Sequence, residues 1–427
     1  MFHEKFREIA KIYPGTPAII WRGEILTYKE LDEESTIIAE SLKAKGIDGT
    51  NPIPIHKERG PEWLIHSLGI LKAGAAYVPL SPNTPPERLD FILRDCEIHT
   101  TPADAFCVYY TSGSTGFPKG VILSHTGVLA FCETHAGLLG LSHGIKAAVQ
   151  ADVGFDSFLL STLPILYAGG TLYLMDDSER LSLVSVHRFL LQNKIDTIFL
   201  TTQFAVEYMK RFDNKYLKTL LTGGEALRSY TQRSYQVYNF YGPTECTVYV
   251  TAYQLKPQNS GDIPIGTTTG KNKIELIDGE ICVSGPQVAL GYLGHPPFGE
   301  SYRTGDLAEW SENGELLYRG RIDNMVKING YRIEPDEVEV KLINHPSIDA
   351  ACVIVIDETL LAYCVPADKN PNKDQTPESL KAYLAECLPH YMIPKTITML
   401  NNLPLDARTG KVDKAALLLD LAVPPSP

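Results

Sequence analysis

The sequence predicts an α/β protein with a large N-terminal domain, in which helices flank mainly parallel sheets, and a small α+β C-terminal domain. Two observations predict this organisation. Up to about residue 320, helical patterns alternate with short apolar runs, which is typical of parallel sheets covered on both faces. Beyond that point a compact unit of roughly 100 residues begins, a plausible size for a separate domain. We therefore expect domains at residues 1–322 and 323–420, followed by a proline-rich linker over 421–427.

The N-terminal elements follow from periodicity and capping residues. Residues 61–74 place apolar side chains at helical spacing, and the apolar run 75–80 follows as a strand. Residues 105–111 form a further predicted strand, and the helix over 124–139 begins with the capping residue Ser124. Three more short apolar runs are predicted strands. They are residues 169–175, 195–201 and 217–224.

The C-terminal part has a different order of elements. Residues 336–345 have a helical pattern, and the two apolar runs 350–356 and 360–367 are suited to pair as strands. Residues 376–389 predict a second helix. This helix, strand, strand, helix order indicates a separate α+β unit.

Composition limits the class of protein. The net charge of −12 argues against broad nucleic-acid binding, which needs a basic face. The N-terminal stretch MFHEKFREIAKIYPG carries charges where a signal peptide would be apolar, and no run is long enough to cross a bilayer, so we expect a cytoplasmic protein. The eight cysteines include no C-x-x-C pair, which favours buried reduced thiols.

Residues 109–121 read YYTSGSTGFPKGV and combine three glycines, four hydroxyl side chains and Lys119 directly after a predicted strand. Such clusters are usually solvated turns. The alternative is a loop whose backbone N–H groups and hydroxyls bind polyphosphate. The Walker pattern fails, because Lys119 precedes Gly120 and Val121 instead of following a glycine.

Three further stretches carry candidate polar groups, each with a plain structural alternative. In NFYGPTECTVY, Glu245 lies beside hydroxyl groups and suits Mg²⁺, although for this stretch taken alone a turn with a solvated Glu is favoured. Asp306 and Arg321 are suited to hold a ribose. The structural alternative is a surface ion pair, which contributes little to stability. Lys411 follows a glycine in a loop, where most lysines are merely solvated.

Taken together, these stretches resemble a known family. YTSGSTGFPKG, YGPTE, YRTGDL, GRIDNMVKINGYRIE and TGKVD occur in the order of the core motifs of adenylate-forming (ANL) enzymes, and are most similar to the adenylation domains of nonribosomal peptide synthetases. LKAGAAYVPLSP, GFDSF, GEICVSGPQVALGY and LPHYMIPK resemble further motifs. The resemblance spans almost the whole chain, and it implies an acyl-CoA synthetase-like fold.

The resemblance implies that a carboxylate attacks the α-phosphate of ATP, that pyrophosphate leaves, and that a thiol captures the acyl group. Thr244 and Glu245 would then lie at the α-phosphate, with Glu245 as the Mg²⁺ ligand, and Lys411 would bridge the substrate carboxylate and the α-phosphate. Fixed cations of this kind stabilise the negative charge that accumulates during the reaction. The other implied nucleotide contacts are the phosphate loop Thr111, Ser112, Gly113, Ser114, Thr115, Gly116 and Lys119, and the adenine and ribose set Gly223, Gly224, Glu225, Tyr241, Asp306, Tyr318 and Arg321.

The resemblance also implies a substrate. Asp156 matches the aspartate that pairs with the α-ammonium group of amino-acid substrates, although a helix N-cap is the structural alternative. No charged group faces the substrate side chain, which favours a small or medium apolar amino acid. The matched pocket positions are Ser157, Leu160, Phe199, Leu221, Gly223, Phe240, Val248 and Tyr249, with Lys411 at the mouth.

By the same resemblance, Asp323 is the hinge about which the small, mobile domain rotates between adenylation and thiol transfer. The partner would be a peptidyl carrier protein or domain bearing phosphopantetheine, and an MbtH-like protein is a further partner that the family allows. Because the chain begins at Met with no condensation domain before it, we expect an initiation module or a stand-alone enzyme.

Some features depart from the family. The chain is short after residues 100, 272 and 300, and Arg408-Thr409 stand where an asparagine usually precedes the Gly-Lys pair. Two alternatives stay open. An acyl-CoA ligase would share the ATP motifs, but Asp156 argues against it. A non-catalytic binding module would be expected to have lost Lys411, Glu245 or Asp306, and all three are present.

Overall fold

The structure is a computed structural model that describes residues 1–417 apart from 48, 114–115, 258–261, 368–375, 406–411 and 415. The chain divides into two compact units. The first comprises Met1–Pro82, Ile92–Thr111 and Lys119–Asp323, and the second comprises Asn83–Phe91, Ser112–Pro118 and Asn324–Pro427. Two short stretches of the N-terminal part therefore group with the second unit, a feature that the sequence does not predict. The domain boundaries predicted above stay a prediction.

The described elements have the following bounds. The helices are α1 (Phe2–Ile12), α2 (Tyr28–Ala44), α3 (Pro61–Ala73), α4 (Pro86–Ile98), α5 (His125–Leu139), α6 (Ser157–Tyr167), α7 (Asp177–Arg180), α8 (Leu183–Asn193), α9 (Thr202–Arg211), α10 (Pro335–Ile343) and α11 (Pro377–Cys387). The strands are β1 (Pro17–Trp21), β2 (Glu24–Thr27), β3 (Ile53–His56), β4 (Tyr77–Leu80), β5 (Ala105–Thr111), β6 (Lys119–Ser124), β7 (Lys146–Val149), β8 (Thr171–Leu174), β9 (Thr197–Thr201), β10 (Thr219–Gly223), β11 (Gln236–Tyr241), β12 (Thr251–Gln254), β13 (Thr267–Thr268), β14 (Lys273–Ile277), β15 (Glu280–Ser284), β16 (Gly291–Tyr292), β17 (Ser301–Trp310), β18 (Leu316–Arg321), β19 (Val326–Ile328), β20 (Tyr331–Ile333), β21 (Ile348–Ile356), β22 (Thr359–Pro366) and β23 (Thr396–Met399).

The largest sheet of the first unit has nine strands in the order β13-β12-β11-β10-β9-β7-β8-β1-β2. Its pairs from β11 through β1 are parallel, and the pairs toward both edges are antiparallel. Parallel neighbours need crossover connections, which α6, α8 and α9 supply. The carboxyl ends of the parallel strands therefore lie along one edge, where ligands bind in such sheets.

A second sheet has the order β16-β6-β5-β4-β3. The predicted helix after β6 is present, and the Ser124 hydroxyl accepts a hydrogen bond from the Gly127 N–H at 2.8 Å, which confirms the predicted cap. The helix ends at Gly140, whose φ of 60° lies in the left-handed region that favours glycine.

A third sheet, β14-β15-β17-β18, is antiparallel throughout. The sequence does not predict this sheet, because its strands contain motif residues whose pattern indicates chemistry and not strand periodicity. The alternation of exposed and half-buried residues along Lys273–Ile277 was the available indication. The mixed α/β class with mainly parallel principal sheets is confirmed by the other strands.

The second unit contains the β19–β20 hairpin and the sheet β21-β22-β23, packed with α10 and α11. The predicted pairing of the two apolar runs is confirmed by the antiparallel β21–β22 ladder. Both predicted helices are present, and each begins with a proline in its first turn, where the missing N–H costs nothing. Their core includes Val338, Leu342, Leu380 and Leu384.

All eight cysteines are buried, as predicted, and burial raises the pKa of the Cys107, Cys132 and Cys246 thiols well above its ordinary value. Such thiols are poor nucleophiles at neutral pH, so these three act as small apolar groups. Across the part of the chain that the structure describes, no helix is both long and apolar enough to cross a membrane.

Candidate active site

The edge of the nine-stranded sheet brings the predicted adenine-binding residues together. β10 ends at Gly223 and β11 ends at Tyr241, and the register sets Gly223 opposite Phe240. A Cβ atom at Gly223 would lie 2.4 Å from the Phe240 carbonyl oxygen, so only glycine fits there. Gly224 follows with a φ of 99°, and Glu225 comes next along the same edge.

Asp306 is the centre of a buried polar cluster. Asp306 is 1% exposed. Its carboxylate accepts hydrogen bonds from the Tyr241 hydroxyl at 2.7 Å and from Arg321 Nη1 at 2.8 Å. The Tyr318 hydroxyl donates to Oδ1 of the same carboxylate at 3.4 Å. Burial, with Asp306 beside it, raises the pKa of Tyr241 well above its usual value, so this phenol remains a donor.

Arg321 joins this cluster to the predicted hinge. Its Nε and Nη2 atoms bind the two carboxylate oxygens of Asp323 at 2.6 and 2.7 Å, while Nη1 binds Asp306. Burial alone lowers the pKa of Arg321, but its bonds to Asp323 and Asp306 outweigh this and raise it. One guanidinium therefore connects the predicted ribose carboxylate with the predicted hinge carboxylate.

Glu245 lies in a 3₁₀ turn formed by Thr244–Cys246 and is fully buried. Its Oε1 atom accepts a hydrogen bond from the Tyr292 hydroxyl at 2.8 Å, and its backbone oxygen accepts one from the Ala289 N–H at 2.8 Å. The Nζ atom of Lys119 lies 5.6 Å from the centre of the Tyr292 ring. The structure thus brings Lys119 and Glu245 to the same tyrosine.

Asp156 stands immediately before α6. It occupies the N-cap position, but its side chain makes no capping hydrogen bond, so the capping alternative does not explain it. The loop that carries it is fixed by Asp152, which accepts hydrogen bonds from the Gly154 N–H at 3.0 Å and from Arg180 Nη2 at 3.1 Å.

Most residues of the predicted side-chain pocket belong to the main hydrophobic core of the first unit. Phe199 and Leu221 are cross-strand neighbours, and the Phe240 and Tyr249 rings stack with centroids 4.1 Å apart. Val248 is partly buried against the same cluster, and Ser157 lies in the first turn of α6. The cluster includes Leu160, Phe199, Leu221, Phe240 and Tyr249.

The Tyr249 hydroxyl forms a hydrogen bond with Nδ1 of the buried His135 at 2.9 Å. It is therefore not a free polar group in the predicted pocket. Burial lowers the pKa of His135 to about 3, so the imidazole is neutral at ordinary pH. A neutral partner for the phenol keeps this wall of the pocket uncharged.

The phosphate-loop residues fall into different parts of the structure. Thr111 ends β5 in register with Lys119, and its buried Oγ1 has no hydrogen-bond partner among the described residues. In the second unit, the Ser112 hydroxyl donates to the Arg332 carbonyl at 3.1 Å. A Cβ at Gly116, whose φ is 84°, would clash with Val340 at 2.6 Å. Ser114, Thr115 and Lys411 lie outside the described residues.

Within the second unit, α10 supplies an anion to this stretch. The Gly113 N–H donates to Glu337 Oε2 at 3.1 Å, and Arg88 Nη1 binds Glu337 Oε1 at 2.9 Å. Glu337 is 1% exposed. A backbone amide that is predicted to bind phosphate is therefore bound here to a buried carboxylate.

Sequence reasoning missed several supporting residues: Arg88, His135, Asp152, Gln287, Tyr292 and Glu337. Gln287 and Tyr292 belong to the quoted motif GEICVSGPQVALGY, so the motif indicated their importance without indicating a partner. His135 lies outside every quoted motif, three residues after the buried Cys132 on α5.

Two family profiles match most of the chain. The profile of the AMP-binding enzyme family matches residues 6–101 and 98–293, and the profile of the AMP-binding enzyme C-terminal domain matches residues 337–411. The chain therefore belongs to the AMP-binding enzyme family, which confirms the resemblance seen in its motifs and makes it a ligase of that family.

Its curated relatives are large peptide synthases. Bacitracin synthase 1 of Bacillus licheniformis is 33% identical over 97% of this chain, and the match covers 9% of that protein. Surfactin synthase subunit 1 of Bacillus subtilis (strain 168) is 32% identical over 97% of this chain, and the match covers 13% of that protein. The chain thus spans roughly a tenth of the length of these relatives.

Solved structures share the fold. Holo-PA1221, described as a nonribosomal peptide synthetase protein with adenylation and PCP domains bound to a vinylsulfonamide inhibitor, has a TM-score of 0.83 at 24% identity, covering 99% of this chain and 85% of that chain. The Vibrio cholerae adenylation domain AlmE, in complex with glycyl-adenosine-5'-phosphate, has a TM-score of 0.80 at 18% identity, covering 99% and 97%. At these identities the likeness concerns the fold alone.

Proposed function

We propose that the chain activates an α-amino acid as its aminoacyl-adenylate and passes the acyl group to the phosphopantetheine thiol of a carrier protein. A carboxylate oxygen of the amino acid forms a bond to the α-phosphorus of ATP, and the bond from that phosphorus to the β-bridging oxygen breaks, so pyrophosphate leaves. The thiol, after losing its proton, then attacks the acyl carbon and AMP leaves.

ATP fits the residues at the sheet edge. Asp306 is a buried carboxylate whose known donors come from Tyr241 and Arg321, and two ribose hydroxyls are the kind of further donors that such a group accepts. The buried Oγ1 of Thr111 has no partner among the described residues, and a phosphate oxygen would satisfy it. Gly223, Gly224, Glu225 and Tyr318 complete the proposed adenosine contacts.

Magnesium fits at Glu245. Among the described residues no group of three or more His, Cys, Asp or Glu side chains could hold a metal, and Mg²⁺ characteristically binds through one or two carboxylates plus phosphates and water. A fully buried carboxylate needs nearby positive charge or donors, and Tyr292 supplies one hydroxyl. When bound, the ion supplies charge stabilisation to the phosphates. Thr244 and Lys411 are the other proposed catalytic groups.

One observation carries the choice of substrate: the carboxylate of Asp156 is not used as a helix cap and stands at the start of α6, which contributes Leu160 to the apolar cluster. A carboxylate beside an apolar cluster suits the ammonium group of an amino acid whose side chain is apolar. The stacked Phe240 and Tyr249 rings fill volume, so we propose a small or medium side chain such as that of alanine, valine or leucine.

The proposed carrier is supported by holo-PA1221, a similar structure whose protein contains adenylation and PCP domains. A peptidyl carrier protein or domain bearing phosphopantetheine is the proposed acceptor. The accessory MbtH-like partner that the family resemblance allows is testable by co-expression, because it would raise the yield of active chain.

The test is ATP–pyrophosphate exchange with all the proteinogenic amino acids. We expect exchange with one or a few small or medium apolar amino acids and background exchange with charged ones. Exchange only with aryl or fatty acids, followed by transfer to coenzyme A, would instead establish an acyl-CoA ligase. Background exchange with every acid, although ATP binds, would establish a non-catalytic module.

A further inference from the structure

We propose that Gln287 is a positioning residue that fixes the pocket wall at Val248 and Tyr249 and thereby sets which substrate acid is accepted. This inference rests on the proposed function, because that function assigns Val248 and Tyr249 to the acid-binding pocket. Gln287 forms hydrogen bonds with Thr247 and Tyr249. It acts on their backbone.

The backbone at this wall has an unusual conformation. Thr247 and Val248 are consecutive residues with φ angles of 51° and 74°. The left-handed region is rarely adopted by residues other than glycine, and least by β-branched ones, of which there are two here. Such a conformation persists only where the surrounding structure determines it. Something must therefore hold the chain on both sides of Val248.

Gln287 supplies that hold. Its Nε2 atom donates to the Thr247 carbonyl at 3.2 Å and to the Tyr249 carbonyl at 2.8 Å, so the two protons of one amide bind the carbonyl groups on either side of Val248. In return, the Thr247 hydroxyl donates to the Gln287 carbonyl at 2.7 Å. We call this arrangement the Gln287 clamp.

The clamp is itself fixed and dry. Gln287 is 1% exposed, and its Oε1 atom accepts a hydrogen bond from Asn272 Nδ2 at 2.7 Å. Asn272 also donates to the Thr269 carbonyl at 3.0 Å. The orientation of the Gln287 amide follows from this network, because reversing it would set two donors against each other and two acceptors against each other. Buried networks in which every group is satisfied are rigid.

The pocket side of Tyr249 is held as firmly as its backbone. Its ring stacks on Phe240, and its hydroxyl is bound to His135 at 2.9 Å. The clamp fixes one end of this residue and His135 fixes the other. An apolar pocket can discriminate one methylene group only if its wall residues keep their positions. The selectivity of the proposed site therefore depends on how firmly Tyr249 is fixed.

The experiment compares the unmodified chain with Gln287→Met, which keeps the size of the side chain and removes both donors. The quantities are kcat/KM in pyrophosphate exchange for the preferred acid and for one that differs by a methylene group, and the KM for ATP. We expect the selectivity ratio to fall about fivefold or more, since one methylene is worth about 10–200-fold in such pockets. The KM for ATP should stay unchanged.

The matched control is Asn214→Leu, which removes another buried amide of the first unit. Asn214 is 1% exposed and accepts hydrogen bonds from the Tyr216 and Leu217 N–H groups, away from the pocket residues. It should lower thermal stability and leave the selectivity ratio unchanged. If Gln287→Met does the same, Gln287 is a structural residue and the proposal is overturned.

A milder variant covers the case in which Gln287→Met does not fold. Gln287→Asn keeps the amide but is too short to reach both carbonyl groups, and it should shift the ratio in the same direction. An unchanged ratio in this variant overturns the proposal. If the unmodified chain activates only non-amino acids, the proposed function fails, while the same ratio measured with two such acids still tests the clamp.

Discussion

Asp156 is the residue on which the proposed choice of substrate depends. We expect Asp156→Asn to raise the KM for the amino acid about 10- to 100-fold, because hydrogen bonds to charged groups contribute about 1.5–3 kcal/mol. The amide keeps the size of the side chain but cannot neutralise an ammonium group. Pyrophosphate exchange at varied amino-acid concentration measures this, and the KM for ATP should stay the same.

Asp349→Asn is the control, since Asp349 is an exposed carboxylate on β21 in the second unit. It should leave both KM values unchanged. An equal rise in KM for the amino acid and for ATP in Asp156→Asn would show that Asp156 supports the fold of the site and does not bind the ammonium group.

Among single residues, the sequence indicates the candidate catalytic and binding groups better than it indicates the residues that position them. Asp306, Glu245 and Asp156 stand in recognisable motifs, and the structure places each in a buried or half-buried polar setting. Tyr292, which donates to Glu245, lies 47 residues further along the chain, and Gln287 lies 40 residues beyond Thr247. Such pairs depend on tertiary packing, for which a single sequence has no local pattern.

Among the elements, α10 is the one whose contact has a functional consequence beyond packing. Glu337 on this helix accepts the Gly113 N–H, which the family resemblance assigns to phosphate. One N–H cannot serve both anions, so Glu337 competes with the nucleotide. We expect Glu337→Gln to lower the KM for ATP about fivefold, because a neutral acceptor forms a hydrogen bond about half as strong as a charged one.

The matched control is Glu339→Gln on the same helix, where the carboxylate accepts the Val353 N–H at 2.7 Å instead. It should leave the KM for ATP unchanged. Steady-state exchange at varied ATP measures both variants. An unchanged or higher KM for ATP in a folded Glu337→Gln protein would contradict the competition.

The elements themselves were predictable to different degrees. Helices with a capping residue, such as α5 after Ser124, and the β21–β22 pair have local patterns and were predicted. The antiparallel sheet β14-β15-β17-β18 was not, because most positions of β14, β17 and β18 are exposed or half-buried. The grouping of Asn83–Phe91 and Ser112–Pro118 with the second unit depends on long-range contacts such as Arg88 with Glu337.

For the whole molecule, the proposed hinge at Asp323 would let one chain perform two half-reactions through rotation of its small C-terminal domain. The first compact unit ends at this residue, and Arg321 binds both Asp323 and the proposed ribose carboxylate of Asp306. The proposed hinge is thereby connected to the proposed nucleotide site. A residue that absorbs changes in φ and ψ is the requirement for such a turn.

We expect Asp323→Pro, which fixes φ, to slow transfer to the carrier thiol about tenfold or more while adenylation falls much less, because only transfer requires the rotation. Lys411→Ala should show the opposite pattern, with adenylation reduced about 10²- to 10³-fold, the usual effect of removing one fixed charge at the reacting phosphate. Pyrophosphate exchange measures the first half-reaction and loading of a phosphopantetheinylated carrier measures the second. Asp323→Ala is the control, because it removes the Arg321 contact without restricting φ, and it should transfer faster than Asp323→Pro. Equal slowing of both half-reactions by Asp323→Pro would mean that the residue supports the site without serving as a hinge.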